Sequence, residues 1–180
     1  MKKHVSLLKR GLAFFVDLYI GVLLATLPIS VISFIKIHKI TQNIFLLDKP
    51  TAIIAVLLSL ICLYFYYIYI PTSIYSGQTL GKRLMDIQII AKSHRLFIKR
   101  QILFMFIFTS ASKLIAQLLS LLSGYNCVSI VTDTTLSISF IAIMSLFFTK
   151  QMLHDRLAKT DIIDISQQKI VIQNKMREEK

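Results

Sequence analysis

Two cysteines, five glycines, three prolines and no tryptophan stand among 180 residues, and acidic side chains number nine against 21 Lys and Arg. Cys62 lies in an apolar run and Cys127 in a later connector, so C-x-x-C spacing and a disulfide framework are excluded and the thiols are read as structural. The shortage of acid leaves a net charge of +12, which calls for an anionic counterpart. The basic residues flank apolar segments instead of forming one stripe, and no RNA- or DNA-binding motif is present. An anionic membrane leaflet therefore fits better than nucleic acid. Also missing are a nucleophile–base pair and a convincing metal set, so neither enzymatic chemistry nor a cofactor is expected.

What the chain has in quantity is long apolar runs: 55% of its residues are hydrophobic and the mean hydropathy is +0.67. That combination with high charge suits a multi-spanning membrane protein. The run from Gly11 to Ile35 is too long for a signal peptide core, contains Asp17 and has no convincing cleavage site, so it reads as a retained first span. Pro28 is expected to kink it and Gly21 to admit a neighbouring helix. A second span, Thr51 to Ile70, carries no charge, and Tyr64, Tyr66, Tyr67 and Tyr69 crowd its end as an aromatic belt would. The third, Ile102 to Leu122, holds Lys113, with Thr109, Ala116, Gln117 and Ser120 at helical spacing as a polar, small face. The fourth, Val131 to Thr149, is the weakest, with Asp133 at its outer end; a short tilted helix that thins the bilayer is the alternative to full spanning.

Orientation follows from Lys and Arg. The segment to Arg10 has four, residues 71–100 have six and the tail from Lys150 has seven, whereas residues 36–50 have three and 123–135 none. Four spans with both termini cytoplasmic satisfy the positive-inside rule. The expected fold is an all-α membrane protein of four transmembrane helices with a small cytoplasmic loop and tail element, including a short β-hairpin, in the plasma (inner) membrane.

On the cytoplasmic side, Gly77-Gln78-Thr79-Leu80-Gly81-Lys82-Arg83 lacks the spacing and the Ser or Thr of a phosphate loop. It reads as a turn that places Lys82 and Arg83 at lipid phosphates. Ile87 to Ile90 and Leu96 to Ile98 flank a polar turn, which fits a small hairpin or an interfacial amphipathic segment, and Ile162, Ile163 and Ile165 supply a further strand. His154-Asp155 is weak as a metal or proton relay and better as a juxtamembrane ion-pair element.

Arg10, Ala13 and Asp17 in the first span, Gly77-Gln-Thr-Leu-Gly-Lys-Arg-Leu84 after the second, and His154-Asp155-Arg156-Leu157-Ala158 with Thr160 after the last together resemble the RDD family of membrane proteins. The resemblance runs from about Lys9 to Ile163, with Asp86 and Asp161 as departures. Its signature arginine and two aspartates would be Arg10, Asp17 and Asp155. It implies an integral membrane protein, with transport, including cation and proton exchange in some members, as the usual suggestion. The domain expectation is one RDD-like transmembrane unit over 1–165 and a charged, partly disordered tail over 166–180.

A carboxylate near a membrane helix centre costs roughly 2.5 to 3.5 kcal/mol, so Asp17 needs a partner. Lys113, whose stem leans back toward the cytoplasm, is the expected one, with Gln117 beside it on a polar path or seam. Asp155 is expected to pair with Arg10. Two functions follow: a small, oligomeric transporter subunit handling monovalent cations or protons, or an accessory scaffold whose charges fix helix packing and whose basic face binds lipid or a partner.

Overall fold

The computed structural model describes residues 5–149 and 152–166; the tail expectation for 167–180 lies outside them. Ser6 accepts a hydrogen bond from the Lys9 amide and opens α1, Leu7–Ile37, which runs as one helix through Pro28. A short connector with a 3₁₀ turn at Ile44–Leu46 leads to Asp48, whose carboxylate takes the amide and hydroxyl of Thr51 and caps α2, Lys49–Tyr64. The helix then widens into a π-helical stretch, Phe65–Ile74. Among the described residues, three helices are long and apolar enough to cross a membrane: α1, α2 with its π-helical extension, and α6, Val128–Thr149. At 22 residues α6 is about 33 Å long, enough for a full crossing.

The third expected span is not one helix. Ser93 accepts from the Leu96 amide and starts α4, His94–Phe108, well before Ile102. Thr109 then turns extended; its hydroxyl donates to the Met105 carbonyl and accepts from the Ala111 amide, ending α4 and starting α5, Ala111–Ser123. The two helices meet at 73° and only together are long and apolar enough to cross, as a broken span or a re-entrant loop.

Of the two readings for residues 87–98, the hairpin is overturned. Leu96 to Ile98 belong to α4, because Phe97, Arg100, Gln101, Phe104 and Met105 continue a buried stripe at helical period. The strand β1, Ile87–Ala91, pairs instead with β2, Thr160–Asp164, antiparallel, with Ile89 opposite Ile162 and Gln88 opposite Ile163. Short helices α3, Leu80–Leu84, and α7, Leu153–Leu157, lie at the same end of the bundle. The expected packing of the 71–100 loop against the segment after the last span is therefore present. Lys9 Nζ bonds Asp164 at 2.7 Å and ties the sheet to α1; that bond, with Ser166, holds the Asp164 carboxyl down at about 2.

The apolar core joins Ala25 and Ile29 of α1, Ala52, Ala55, Val56 and Leu63 of α2, Phe104 of α4 and Leu114 of α5. Alanines let α1 and α2 approach closely, as membrane helices without a hydrophobic drive between them require.

Candidate functional site

Of the polar residues that α1 carries, Asp17 is the one buried near the sheet end of the bundle. Asp17 is fully buried, and each of its carboxylate oxygens accepts two bonds. Oδ1 takes the Tyr66 hydroxyl at 2.8 Å and the Gly81 amide at 3.0 Å; Oδ2 takes the Thr79 hydroxyl at 2.5 Å and Lys82 Nζ at 2.8 Å. A carboxylate offers about four acceptor positions, so this one is saturated. Lys82 Nζ also donates to Thr79 Oγ1 at 3.0 Å and lies 5.4 Å from the centre of the Phe104 ring.

The expected Asp17–Lys113 pair does not form. The break at Thr109 and Ser110 turns α5 away from the axis of α4, and Lys113 is exposed. Gln117 is buried on α5, its Oε1 without a partner among the described residues. Lys82 takes the place assigned to Lys113. It reaches inward because Gly81 has no side chain: a Cβ there would lie 2.4 Å from the Ala13 carbonyl oxygen and 2.8 Å from Asp17 Oδ1. The Gly77–Arg83 turn therefore presses against α1, and of its two cations only Arg83 is exposed, stacked 4.1 Å from the Tyr75 ring centre. Gly77 has a positive φ of 77°, and a Cβ would meet the Ile89 carbonyl oxygen at 2.4 Å, so the turn and β1 require a glycine there too.

The tyrosines are likewise split. Tyr64 and Tyr69 are exposed, as a belt requires, but Tyr66 and Tyr67 are buried. The wider π-helical turn directs both neighbours at one residue of α1, Tyr66 to the Asp17 carboxylate and Tyr67, at 2.7 Å, to the Asp17 main-chain carbonyl. Gly21 makes room for this, since a Cβ there would sit 2.2 Å from the Tyr67 hydroxyl.

A second ion pair lies beside the first. Arg100 Nε donates to Asp155 Oδ1 at 2.6 Å, Arg100 Nη1 to Gln101 Oε1 at 2.9 Å, and Arg100 Nη2 meets His154 Nε2 at 3.2 Å. The bond expected from Arg10 thus comes from Arg100. Arg10 lines the same cavity of about 30 Å³, with Lys82, Arg100, His154, Asp155 and Ile162 among its other walls. That is room enough for a water molecule. Burial would raise the Asp155 carboxyl, but Arg100 and then His154 hold it below its usual value. Burial pushes His154 down to about 3, against the pull of Asp155, so the ring is neutral. With Nε2 accepting from Arg100, the proton belongs on Nδ1, which has no partner among the described residues. Lys82 is pushed below its ordinary value by burial and by Arg100, against the pull of Asp17.

Lys82, Tyr66, Thr79 and Arg100 are the members of this cluster that the helical spacing of the spans did not reveal. The signal lay in the turn: a glycine immediately before a lysine, where a side-chain-free position lets the cation approach a buried helix.

The family model described as RDD family matches residues 4–159, which include every residue of the cluster. No curated protein and no solved structure matches the chain.

Proposed function

The chain belongs to the RDD family and is an integral membrane protein, and from that premise we propose that it is a small transporter subunit taking part in cation and proton exchange, with the buried cluster as the place where charge is handled. The observation that carries this reading is the pair of buried ion pairs, Asp17–Lys82 and Asp155–Arg100, beside a small cavity at one end of the bundle. Burying charge pairs is costly, and replacing such a pair by apolar side chains is often neutral or stabilising by about 1 to 4 kcal/mol. Two pairs and a neutral histidine in one cluster are more than helix registry requires. Ionisable groups inside membrane proteins mark ion and proton pathways by default.

In this proposal the sheet end faces the cytoplasm and the protein sits in the plasma membrane, because the described basic residues Lys9, Arg10, Lys82, Arg83, Lys92, Arg95, Arg156 and Lys159 share that end. Its partners are the bilayer, monovalent cations or protons and a second copy of itself; no enzymatic chemistry, cofactor or nucleic acid is assigned to it.

One observation favours a second reading, a scaffold. Every acceptor position of Asp17 is filled, as suits a clamp that pins the Gly81–Lys82 turn to α1. Reconstitution separates the two. Liposomes with an internal pH dye and imposed Na⁺, K⁺ or pH gradients should show ion-dependent proton flux with the native chain and its loss in a folded Asp17→Asn variant. Sealed vesicles of folded native protein that pass no ion under any gradient would leave the clamp.

A further inference from the structure

The small cavity beside the two ion pairs has walls rich in one sign of charge. Arg10 of α1, Lys82 of α3, Arg100 of α4 and His154 of α7 all line it, with Asp155 the carboxylate among them and Phe104 on its apolar side. Counted together with Asp17, the partner of Lys82, the cluster holds three cations and two anions around a neutral His154, which leaves it at +1.

Hydrogen-bond donors are in excess as well. Lys82 has three N–H groups, of which Asp17 and Thr79 take two; Arg100 has five, of which Asp155, Gln101 and His154 take three. Among the described residues that leaves one donor on Lys82, two on Arg100 and the Nδ1–H of His154, a side chain that is 0% exposed. Asp17 has no acceptor position left for them. A water molecule would accept from two of these donors and cancel none of the charge. Net charge held out of water is costly unless an opposite charge meets it. A single-atom anion supplies both the acceptor and the charge. The cavity, at about 30 Å³, has the room of one or two water molecules, which suits such an ion better than a phosphate or sulfate.

We propose that this cavity is a binding site for a small monovalent anion of the halide class, chloride foremost, held among Arg10, Lys82, Arg100 and His154. The ion is the missing counter-charge of the cluster and ties α1, α3, α4 and α7 to one another at the sheet end of the bundle. It needs no passage across the membrane, so the site serves a carrier and a clamp alike and does not depend on the transport reading.

The test uses the full chain in detergent micelles, freed of halide in sodium gluconate, with chloride or bromide then exchanged for gluconate at constant ionic strength. The midpoint of thermal unfolding, followed by circular dichroism, should rise with halide as an anion bound to the folded state requires. Arg10→Gln should bind the halide about tenfold or more weakly, so its curve moves to higher concentration, whereas Arg83→Gln, an exposed cation of the same turn that is not on the cavity wall, should follow the native curve. The circular dichroism spectrum shows that each variant is folded. Crystals of the native chain grown in bromide give a second readout that needs no variant: anomalous scattering should place one bromide inside the cavity. An unfolding midpoint indifferent to halide, an Arg10→Gln chain that responds as the native one does, or bromide absent from the cavity would each overturn the proposal.

Discussion

If Lys82 is the partner of Asp17, removing either should cost more than removing both. Asp17→Asn deletes the charge that Lys82 faces at 2.8 Å, with the lysine side chain 8% exposed and the aspartate 0%. Lys82→Met deletes the cation and leaves Oδ2 with Thr79 alone. Each single change strands one buried charge, which typically costs about 3 to 5 kcal/mol. The double variant strands none, keeps Asn acceptors for Tyr66 and Gly81, and places a methionine of similar length against Phe104. Its loss should fall short of the sum of the singles by about 1 to 3 kcal/mol. Unfolding in mixed micelles, followed by circular dichroism against the mole fraction of denaturing detergent, gives all four stabilities. Lys99→Met, at an exposed position of α4, is the control and should stay within about 0.5 kcal/mol of native. Losses that simply add around the cycle would refute the pair, and with it the account of why the Gly81 turn enters the bundle.

Three further expectations come from the same geometry. Gly81→Ala should destabilise by roughly 1 to 3 kcal/mol or more, because its Cβ meets the Ala13 carbonyl and Asp17, whereas Gly11→Ala, with open space around it in α1, should be neutral or stabilise by up to about 1 kcal/mol. Equal effects of the two in a thermal melt would contradict the close approach. Tyr66→Phe removes a bond to an ionised carboxylate and should cost about 1.5 to 3 kcal/mol, more than Tyr67→Phe, which removes one to a carbonyl; the reverse order would argue against a charged Asp17. His154 is neutral in the fold, with its value lowered to about 3 from an ordinary 6.5, so the unfolded chain binds the extra proton first. Its contribution is complete above pH 6.5 and is lost as pH falls, by roughly 2 to 3 kcal/mol at pH 4.5. In denaturation curves over that window the native chain should lose stability more steeply than His154→Gln; parallel slopes would show that the ring is not held neutral.

The spans were legible because burial and membrane crossing both act through runs of apolar side chains, which a sequence displays directly. Even the return of the chain after α6 to the loop before α4 was visible in the isoleucines near Ile89 and Ile162. The break at Thr109 was not, since a threonine inside an apolar run is common in membrane helices, and only its two hydrogen bonds make it a boundary here. That break is why Lys113 misled: depth counted along a straight helix has no meaning past a 73° turn. Arg10, Asp17 and Asp155 do gather at one end, but their charge partners, Lys82 and Arg100, come from segments whose basic character also fits plain lipid contact. A lysine pointing into a bundle and one pointing at a headgroup look alike until the glycine before it is recognised as a contact.

The strands of the small sheet come from opposite ends of the second half of the chain, and that separation sets an order of assembly during synthesis. Asp17 can meet Lys82 as soon as the first two spans and the turn after them have left the ribosome. Arg100 must wait for Asp155, 55 residues later, which at roughly 5 to 20 residues per second is about 3 to 11 seconds. In that interval α4 carries a cation into the bundle with no anion to meet it, and β1 has an open edge. The nascent chain is then most exposed to membrane proteases and insertion chaperones, and a stop codon anywhere before His154 makes the interval permanent.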